Sequence, residues 1–257
     1  MIKYIIAIFT VVPILFFDYF AWILRYSLHP KKYPIEVRFA KVQKLAKQVL
    51  KFFRVKVNLE TMNKYNDLFI NSKESHLIVS NHLSDADPII FMAYSKRPIS
   101  FVAKIESKKF LFVGKIVKIL DGEFLDRSNI KQQFKVMESI KDKLTYYKGL
   151  DFVIFPEGTR NKNPDIINLL EFKNGAFHPA VKAMAPISVF ALYGTNDILS
   201  FKSKKHINEI EINYIDTFYY DRYKNYTTYQ LADLSSKLIK EAINNDRKLD
   251  KNQISIK

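Results

Sequence analysis

The chain has 257 residues, enough for one large domain or two small ones with a true core, and 48% hydrophobic and 14% aromatic residues exclude a disordered chain. It has no cysteine, which excludes a disulfide scaffold, cysteine zinc sites, iron–sulfur clusters and thiol nucleophiles. Forty-one basic against 26 acidic residues leave a net charge of +15, so the partners to look for are anionic: a phospholipid surface, a phosphorylated substrate, an acidic protein or nucleic acid.

From 4 to 24 the chain is almost wholly apolar and flanked by Lys3 and Arg25, a length that can cross a bilayer as a helix. Pro13 and Asp18 spoil the span, since one kinks a helix and the other is costly in hydrocarbon unless the segment is shallow or packed on protein. Bulky Tyr19, Phe20 and Trp22 stand where a signal peptide would have a small-residue cleavage site, so the segment is expected to be retained. Residues 35 to 53 then place Ile35, Phe39, Val42, Ala46, Val49 and Phe53 at alternating steps of four and three, with Lys41, Lys44, Lys47 and Lys51 off that stripe. Alone, this fits equally a basic helix lying on an anionic membrane and a core-facing helix with a solvated lysine face. Beside the apolar run, the membrane reading gains. The expected organisation is a membrane-associating helical region over 1–53 and an α/β catalytic domain over 54–257. Arg25, Lys31, Lys32, Arg38 and Lys41 would put everything after residue 25 on the cytoplasmic side.

Beyond residue 55, strand-like runs at 55–59, 76–80, 99–103, 123–125, 151–155, 186–192 and 208–215 alternate with helical patterns at 88–96, 107–119, 129–147, 175–183 and 227–244. Such alternation predicts an α/β fold, with a mostly parallel or mixed sheet flanked by helices and function in the loops at strand ends. No glycine-rich phosphate loop or dinucleotide fingerprint appears. The polar tail from Asn244 is expected to fray.

Three strand ends carry residues suited to chemistry. After 76–80 comes Asn81-His82-Leu83-Ser84-Asp85-Ala86-Asp87-Pro88, in which Asp87 can fold back to hold one ring nitrogen of His82 and leave the other free as a base. Asp87 followed by Pro88 also fits a helix N-cap, and Asp85 a solvated turn residue. After 151–155 the loop Phe155-Pro156-Glu157-Gly158-Thr159-Arg160 would project Arg160 as a fork for a phosphate; with only 8 arginines against 33 lysines, each arginine is informative. Gly122-Glu123-Phe124-Leu125-Asp126-Arg127 offers another, although Asp126 fits a cap of the next helix equally well.

These blocks, with Phe172-Lys173-Asn174-Gly175-Ala176-Phe177 leading to Ala185-Pro186-Ile187, resemble the four ordered motifs of the glycerolipid acyltransferases, and most of all the 1-acylglycerol-3-phosphate acyltransferases. The resemblance runs in order over about 75–192, and Phe101-Val102-Ala103-Lys104 is similar to the family's Phe-x-x-Lys strand end. Three departures stand out: Asn161 replaces a common Ser, Ser188 replaces a second Pro, and Gly122 and Phe124 lie one residue closer than usual.

The resemblance implies transfer of a fatty acyl group from a thioester to the free hydroxyl of 1-acylglycerol 3-phosphate, giving phosphatidic acid, with no cofactor and no metal. His82 would be the general base and Asp87 its orienting partner. Lys104, Arg127 and Arg160 would hold the acceptor phosphate; Glu157 and Gly158 would shape the pocket floor, with Thr159 in the same substrate-binding loop, and backbone amides near Gly158 are candidates for the oxyanion. Partners would be membrane lipid and acyl-CoA or acyl carrier protein, not nucleic acid, at the cytoplasmic face of the membrane; the sequence leaves donor, chain length and oligomeric state open. The alternative acceptors are glycerol 3-phosphate and another lysophospholipid. Two rivals come from other classes: a metal hydrolase with His82, Asp85 and Asp87 as ligands, and a catalytically idle basic membrane-surface protein.

Overall fold

The computed structural model describes residue 13 and residues 16–163, 165–196, 198–199 and 208–255. The rest of the apolar run before residue 16 lies outside the described residues. Seven strands form one sheet: β1 Val55–Asn58, β2 Leu77–Ser80, β3 Ile99–Lys104, β4 Glu123–Leu125, β5 Asp151–Ile154, β6 Ile187–Tyr193 and β7 Asn208–Phe218. Their spatial order is β1-β7-β6-β2-β5-β3-β4, with β6 and β7 antiparallel and every other neighbouring pair parallel. Each strand overlaps its sequence expectation.

The expected α/β architecture with a mixed sheet is therefore present, and its logic is visible along β2, β5 and β6. All residues of β2 and β5 are buried, the continuous apolar pattern of strands covered on both faces. Ile78, Val153 and Phe190 face one layer of the core with Phe39, Val42 and Phe91, while Leu77, Val79, Phe152 and Ile154 face the other with Ile140, Phe177 and Ile239. Because β2 to β6 run the same way, the residues that follow β2, β4 and β5 and the last residue of β3 emerge at one edge of the sheet. All the singled-out blocks before residue 161 lie along that edge.

Helices differ from expectation in several places. The 107–119 pattern is broken into a 3-10 turn, Ile105–Lys109, and a short helix, Val113–Ile119. Helix Glu60–Phe69 was not expected, because of its four buried positions only Met62, Tyr65 and Phe69 are apolar. The fourth is Asn66, which is buried by donating to the Tyr94 carbonyl at 3.0 Å and accepting from the Lys96 amide at 2.9 Å, a pairing that hydropathy cannot register. The last helix runs on through the expected frayed tail, Thr228–Ser255.

The N-terminal region differs as well. Helix Ile35–Phe52 buries Arg38, Phe39, Val42, Leu45, Ala46 and Leu50 in the same core layer as Ile78 and Phe91, with Lys41, Lys44, Lys47 and Lys51 exposed. Trp22, Ile23 and Tyr26, from a π-helical turn Tyr19–Ile23 and helix Leu24–Leu28, join that layer. Arg38 is buried too, donating to the carbonyls of Tyr33 and Ile119 and pairing with Asp121 at 2.8 Å. Of the two readings of the 35–53 pattern, the core-facing one describes the packing, and residues from 22 to 50 share a core layer with the body. Among the described residues no helix is long and apolar enough to cross a membrane.

At the opposite edge of the sheet from the functional loops, Asp151 is buried with Arg97 at 2.8 Å and accepts from the Tyr65 hydroxyl at 3.0 Å and the His76 amide at 2.9 Å. Burial pushes the His76 imidazole down to about 3, so this histidine stays neutral and structural.

Candidate active site

His82 leaves the end of β2, two residues beyond Ser80, and its main chain is gripped on both sides by the loop after β5. Its N–H donates to Glu157 Oε1 at 2.8 Å, and its carbonyl accepts from the Asn161 N–H at 2.7 Å. Asn81 adds a two-point link to the neighbouring strand, bonding both the carbonyl and the amide of Leu192 at 2.9 and 2.8 Å. The imidazole stacks on Phe155, with ring centroids 4.3 Å apart and planes 17° from parallel. Backbone and ring are thus fixed by independent contacts.

Asp87 heads helix Asp87–Tyr94 with Pro88 behind it, as a cap would, but its carboxylate turns back over its own loop. Oδ2 accepts from His82 Nδ1 at 2.8 Å and from the amides of Leu83 and Ser84 at 2.6 and 2.9 Å, and the Ser84 hydroxyl reaches Oδ1 at 3.3 Å. Asp87 is wholly buried, and its carboxylate oxygens are taken up by these donors. With the Asp87 oxygen as acceptor at Nδ1, the proton is assigned to that nitrogen, which leaves Nε2 as the free lone pair on a ring that is still partly exposed. A base supported in this way, with its lone pair at a strand edge, can take a proton from a hydroxyl group.

The 155–160 loop distributes its residues differently from the expectation. Glu157 does not project toward a ligand: it is buried, and its second oxygen accepts from the Leu170 amide at 2.9 Å, so both oxygens are spent inside the protein. Burial raises its carboxyl above the usual range, against the pull of the two amides. Gly158 sits at φ +70 with open space where a Cβ would go, so glycine is required there by backbone conformation and not by crowding. Its amide is taken by the Phe155 carbonyl at 2.9 Å, which removes that group from the oxyanion donors. Thr159 is exposed.

The residues that follow His82 open onto a cleft of about 750 Å³, which His82 itself does not line. Leu83, Asp85, Arg160, Lys162 and Asn163 line it, with Tyr193, Ile198 and Leu199 as an apolar wall. Arg160 reaches Asp85 with Nη1 to Oδ2 at 2.6 Å, and both side chains remain open to solvent. Lys104 and Arg127 emerge at the same sheet edge but are not among the residues lining this cleft; Lys104 pairs with Glu106 at 3.0 Å. Asp126 does not cap the next helix. It accepts from Ser128, and Asn129 caps instead, with its side chain accepting from the Gln132 amide at 3.1 Å. Asp85 and Asp87 are turned to different partners, so they do not converge with His82 as three ligands of one ion; among the described residues no group of three or more such side chains is placed to hold a metal.

The structure therefore brings His82, Asp87, Glu157, Gly158 and Arg160 together, with Lys104 and Arg127 farther along the edge. Sequence reasoning missed the roles of Asn81, Phe155, Asn161 and Lys162, although all four sit inside or just after the singled-out blocks.

Comparison with known proteins supplies the remaining observations. The family model described as Acyltransferase matches residues 55–193. A Mycoplasma pneumoniae protein named "Probable 1-acyl-sn-glycerol-3-phosphate acyltransferase" is 33% identical over 192 residues, covering 73% of this chain and 67% of the relative. A Mycoplasma genitalium protein of the same name is 34% identical over 189 residues, covering 72% and 65%. The chain thus spans about two thirds of the length of these relatives. The crystal structure of the 1-acyl-sn-glycerophosphate (LPA) acyltransferase PlsC from Thermotoga maritima superposes with a TM-score of 0.69 at 21% identity, covering 95% of this chain and 93% of that one; at this identity the likeness speaks for the fold.

Proposed function

The chain belongs to the acyltransferase family, and from that premise we propose that it transfers a fatty acyl group from a thioester to the free hydroxyl of 1-acylglycerol 3-phosphate, making phosphatidic acid. The observation that carries the reading is the His82–Asp87 pair, whose loop continues through Leu83, Ser84 and Asp85 into the lining of a cleft that combines Arg160 and Lys162 with an apolar wall. A phosphate monoester bearing an acyl tail matches both parts of that cleft. The names of the relatives point to the same acceptor.

In the mechanism we propose, His82 Nε2 takes the acceptor hydroxyl proton as the oxygen attacks the thioester carbonyl. Asp87 stabilises the imidazolium that forms, and the proton then passes to the departing thiolate. No covalent enzyme intermediate is needed. A positioned base contributes roughly a hundredfold to ten-thousandfold in rate, and holding the phosphate on Arg160 and Lys162 adds orientation. Lys104 and Arg127 are assigned to guiding the anionic acceptor along the sheet edge. The acyl donor is acyl-CoA or acyl carrier protein; a lipid acceptor and product call for work at a membrane surface, and the basic residues Arg25, Lys31, Lys32, Arg38 and Lys41 support the cytoplasmic face.

The test is incubation of the purified protein with a labelled acyl thioester and a panel of acceptors that includes 1-acylglycerol 3-phosphate, glycerol 3-phosphate and neutral lysolipids, with products read by mass. Phosphatidic acid as the main product supports the proposal, and transfer to glycerol 3-phosphate alone would move the acceptor one step earlier. Vesicle binding with no transfer to any acceptor would favour an idle membrane-surface protein.

A further inference from the structure

The break in the expected 107–119 helix has a chemical consequence. Between the turn Ile105–Lys109 and the helix beginning at Val113, the chain forms a crest in which Phe110 and Leu111 are 62% and 56% exposed. This backbone is pinned in place. The Phe110 amide bonds the Ser107 carbonyl at 3.1 Å, the Gly114 amide bonds the Phe110 carbonyl at 3.1 Å, and a Cβ on Gly114 would meet the Lys108 carbonyl at 2.5 Å, so only glycine lets the turn fold against the helix start. The two apolar side chains are therefore held outward by an ordered loop.

The crest also continues into another part of the chain. The Phe112 ring packs edge-to-face on Tyr19 at 5.6 Å, and Lys115 lies over the same tyrosine at 5.5 Å. From that junction the N-terminal segment presents Phe16, Phe17 and Phe20, which are 65%, 72% and 59% exposed. Two segments distant in sequence thus form one aromatic and aliphatic surface, of the kind that soluble monomers seldom leave uncovered. Lys108 and Lys109 are exposed beside it, and no ion-pair partner is seen for either among the described residues. The crest is joined by the turn Ile105–Lys109 to Lys104, at the edge of the sheet that carries His82.

We propose that the 110–113 crest, continuous with Phe16, Phe17 and Phe20, docks on an anionic phospholipid bilayer, its apolar side chains entering the interface while Lys108 and Lys109 meet the headgroups. Aromatic and aliphatic side chains ringed by unpaired lysines complement an anionic interface better than a second copy of this chain, whose net charge is also +15. The proposal deepens the lipid-acceptor reading and rests on it for the choice of a bilayer, but its test requires no acyl transfer.

The experiment is co-sedimentation of the full-length protein with vesicles of phosphatidylcholine alone and of phosphatidylcholine with phosphatidylglycerol, containing neither acceptor nor donor. The double variant Phe110→Ser/Leu111→Ser is expected to lower partition into anionic vesicles by about tenfold or more, since it removes two exposed apolar side chains from the membrane-facing crest. Lys108→Gln/Lys109→Gln is expected to weaken binding only to the anionic vesicles. The control Ile130→Ser/Phe134→Ser removes an equally exposed apolar pair on another helix and is expected to leave binding unchanged. Matching circular-dichroism melts and unchanged transfer to a short-chain, water-soluble acceptor would show that the variants are folded. Binding of the Phe110/Leu111 variant at the wild-type level overturns the proposal, as does a wild-type dimer in light scattering that this variant dissolves. Loss of acyl transfer by the wild-type protein on every acceptor would instead count against the function, with the vesicle result still standing on its own.

Discussion

The carboxylate of Glu157 binds the main chain of His82 at 2.8 Å and the main chain of Leu170 at 2.9 Å, so an acidic residue expected to meet the substrate is a clamp on the base. Glu157→Ala leaves two amides without partners, a loss on the order of 1–3 kcal/mol for each buried donor. The expected outcome is a large fall in kcat with little change in acceptor KM, together with a lower melting temperature. Glu157→Gln keeps one acceptor oxygen and should recover part of the rate. A rise in acceptor KM at constant kcat would return Glu157 to the substrate.

His82→Ala is expected to abolish transfer, by about a hundredfold at least, while the fold persists, because the ring carries rate and little packing. Asp87→Asn should be nearly as severe, since the amide holds the wrong proton inventory for three donors. Denaturation curves of both variants decide whether the loss is chemical, and retention of more than a tenth of the activity by His82→Ala would remove the general-base assignment.

Arg160 is engaged by Asp85 before any phosphate arrives. Asp85→Asn is therefore expected to lower the acceptor KM by about twofold to fivefold, the span that a solvent-open ion pair of at most ~1 kcal/mol commands. Arg160→Ala should raise that constant and leave the donor's unchanged, and in the Arg160→Ala background Asp85→Asn should have no further effect. Steady-state kinetics over the four proteins checks this cycle. Additive effects would mean that the pair is not the site of competition.

Gly158→Ala places a Cβ at φ +70, where the cost is about 1–2 kcal/mol although space is free. The loop that grips His82 would shift, so activity is expected to fall well beyond the loss of stability. Wild-type kinetics with reduced stability alone would show that the loop tolerates the strain.

The N-terminal region gives a further prediction. Arg38→Ala removes a buried guanidinium from the Ile119 and Tyr33 carbonyls and from the partly exposed Asp121, and about 1–3 kcal/mol of stability should be lost in urea titration. For the same reason, removal of residues 1–53 is expected to yield no stable folded body, because Phe39, Val42, Leu45 and Leu50 leave the core with it. A soluble, cooperative, truncated protein would show that this core layer closes without them.

Sequence alone determined the class of fold, the family and the places where chemistry gathers, because those depend on local order. Buried strands read as unbroken apolar runs, and the motif blocks are continuous stretches whose residue types already match a base, an orienting acid and a phosphate fork. What needed the tertiary structure was which partner each polar group takes. The helix over 35–53 could face lipid or protein with the same stripe, and only the packing of Phe39 and Val42 on Ile78 and Phe91 decided between them. Asn66 looked like surface until two hydrogen bonds buried it. Glu157 and Arg160 stand three residues apart in one loop, yet one is spent on the backbone of His82 while the other faces the cleft. A carboxylate has the same charge and reach wherever it stands, so its role was fixed by the amides that the fold brought to it, and these come from residues far away in the chain.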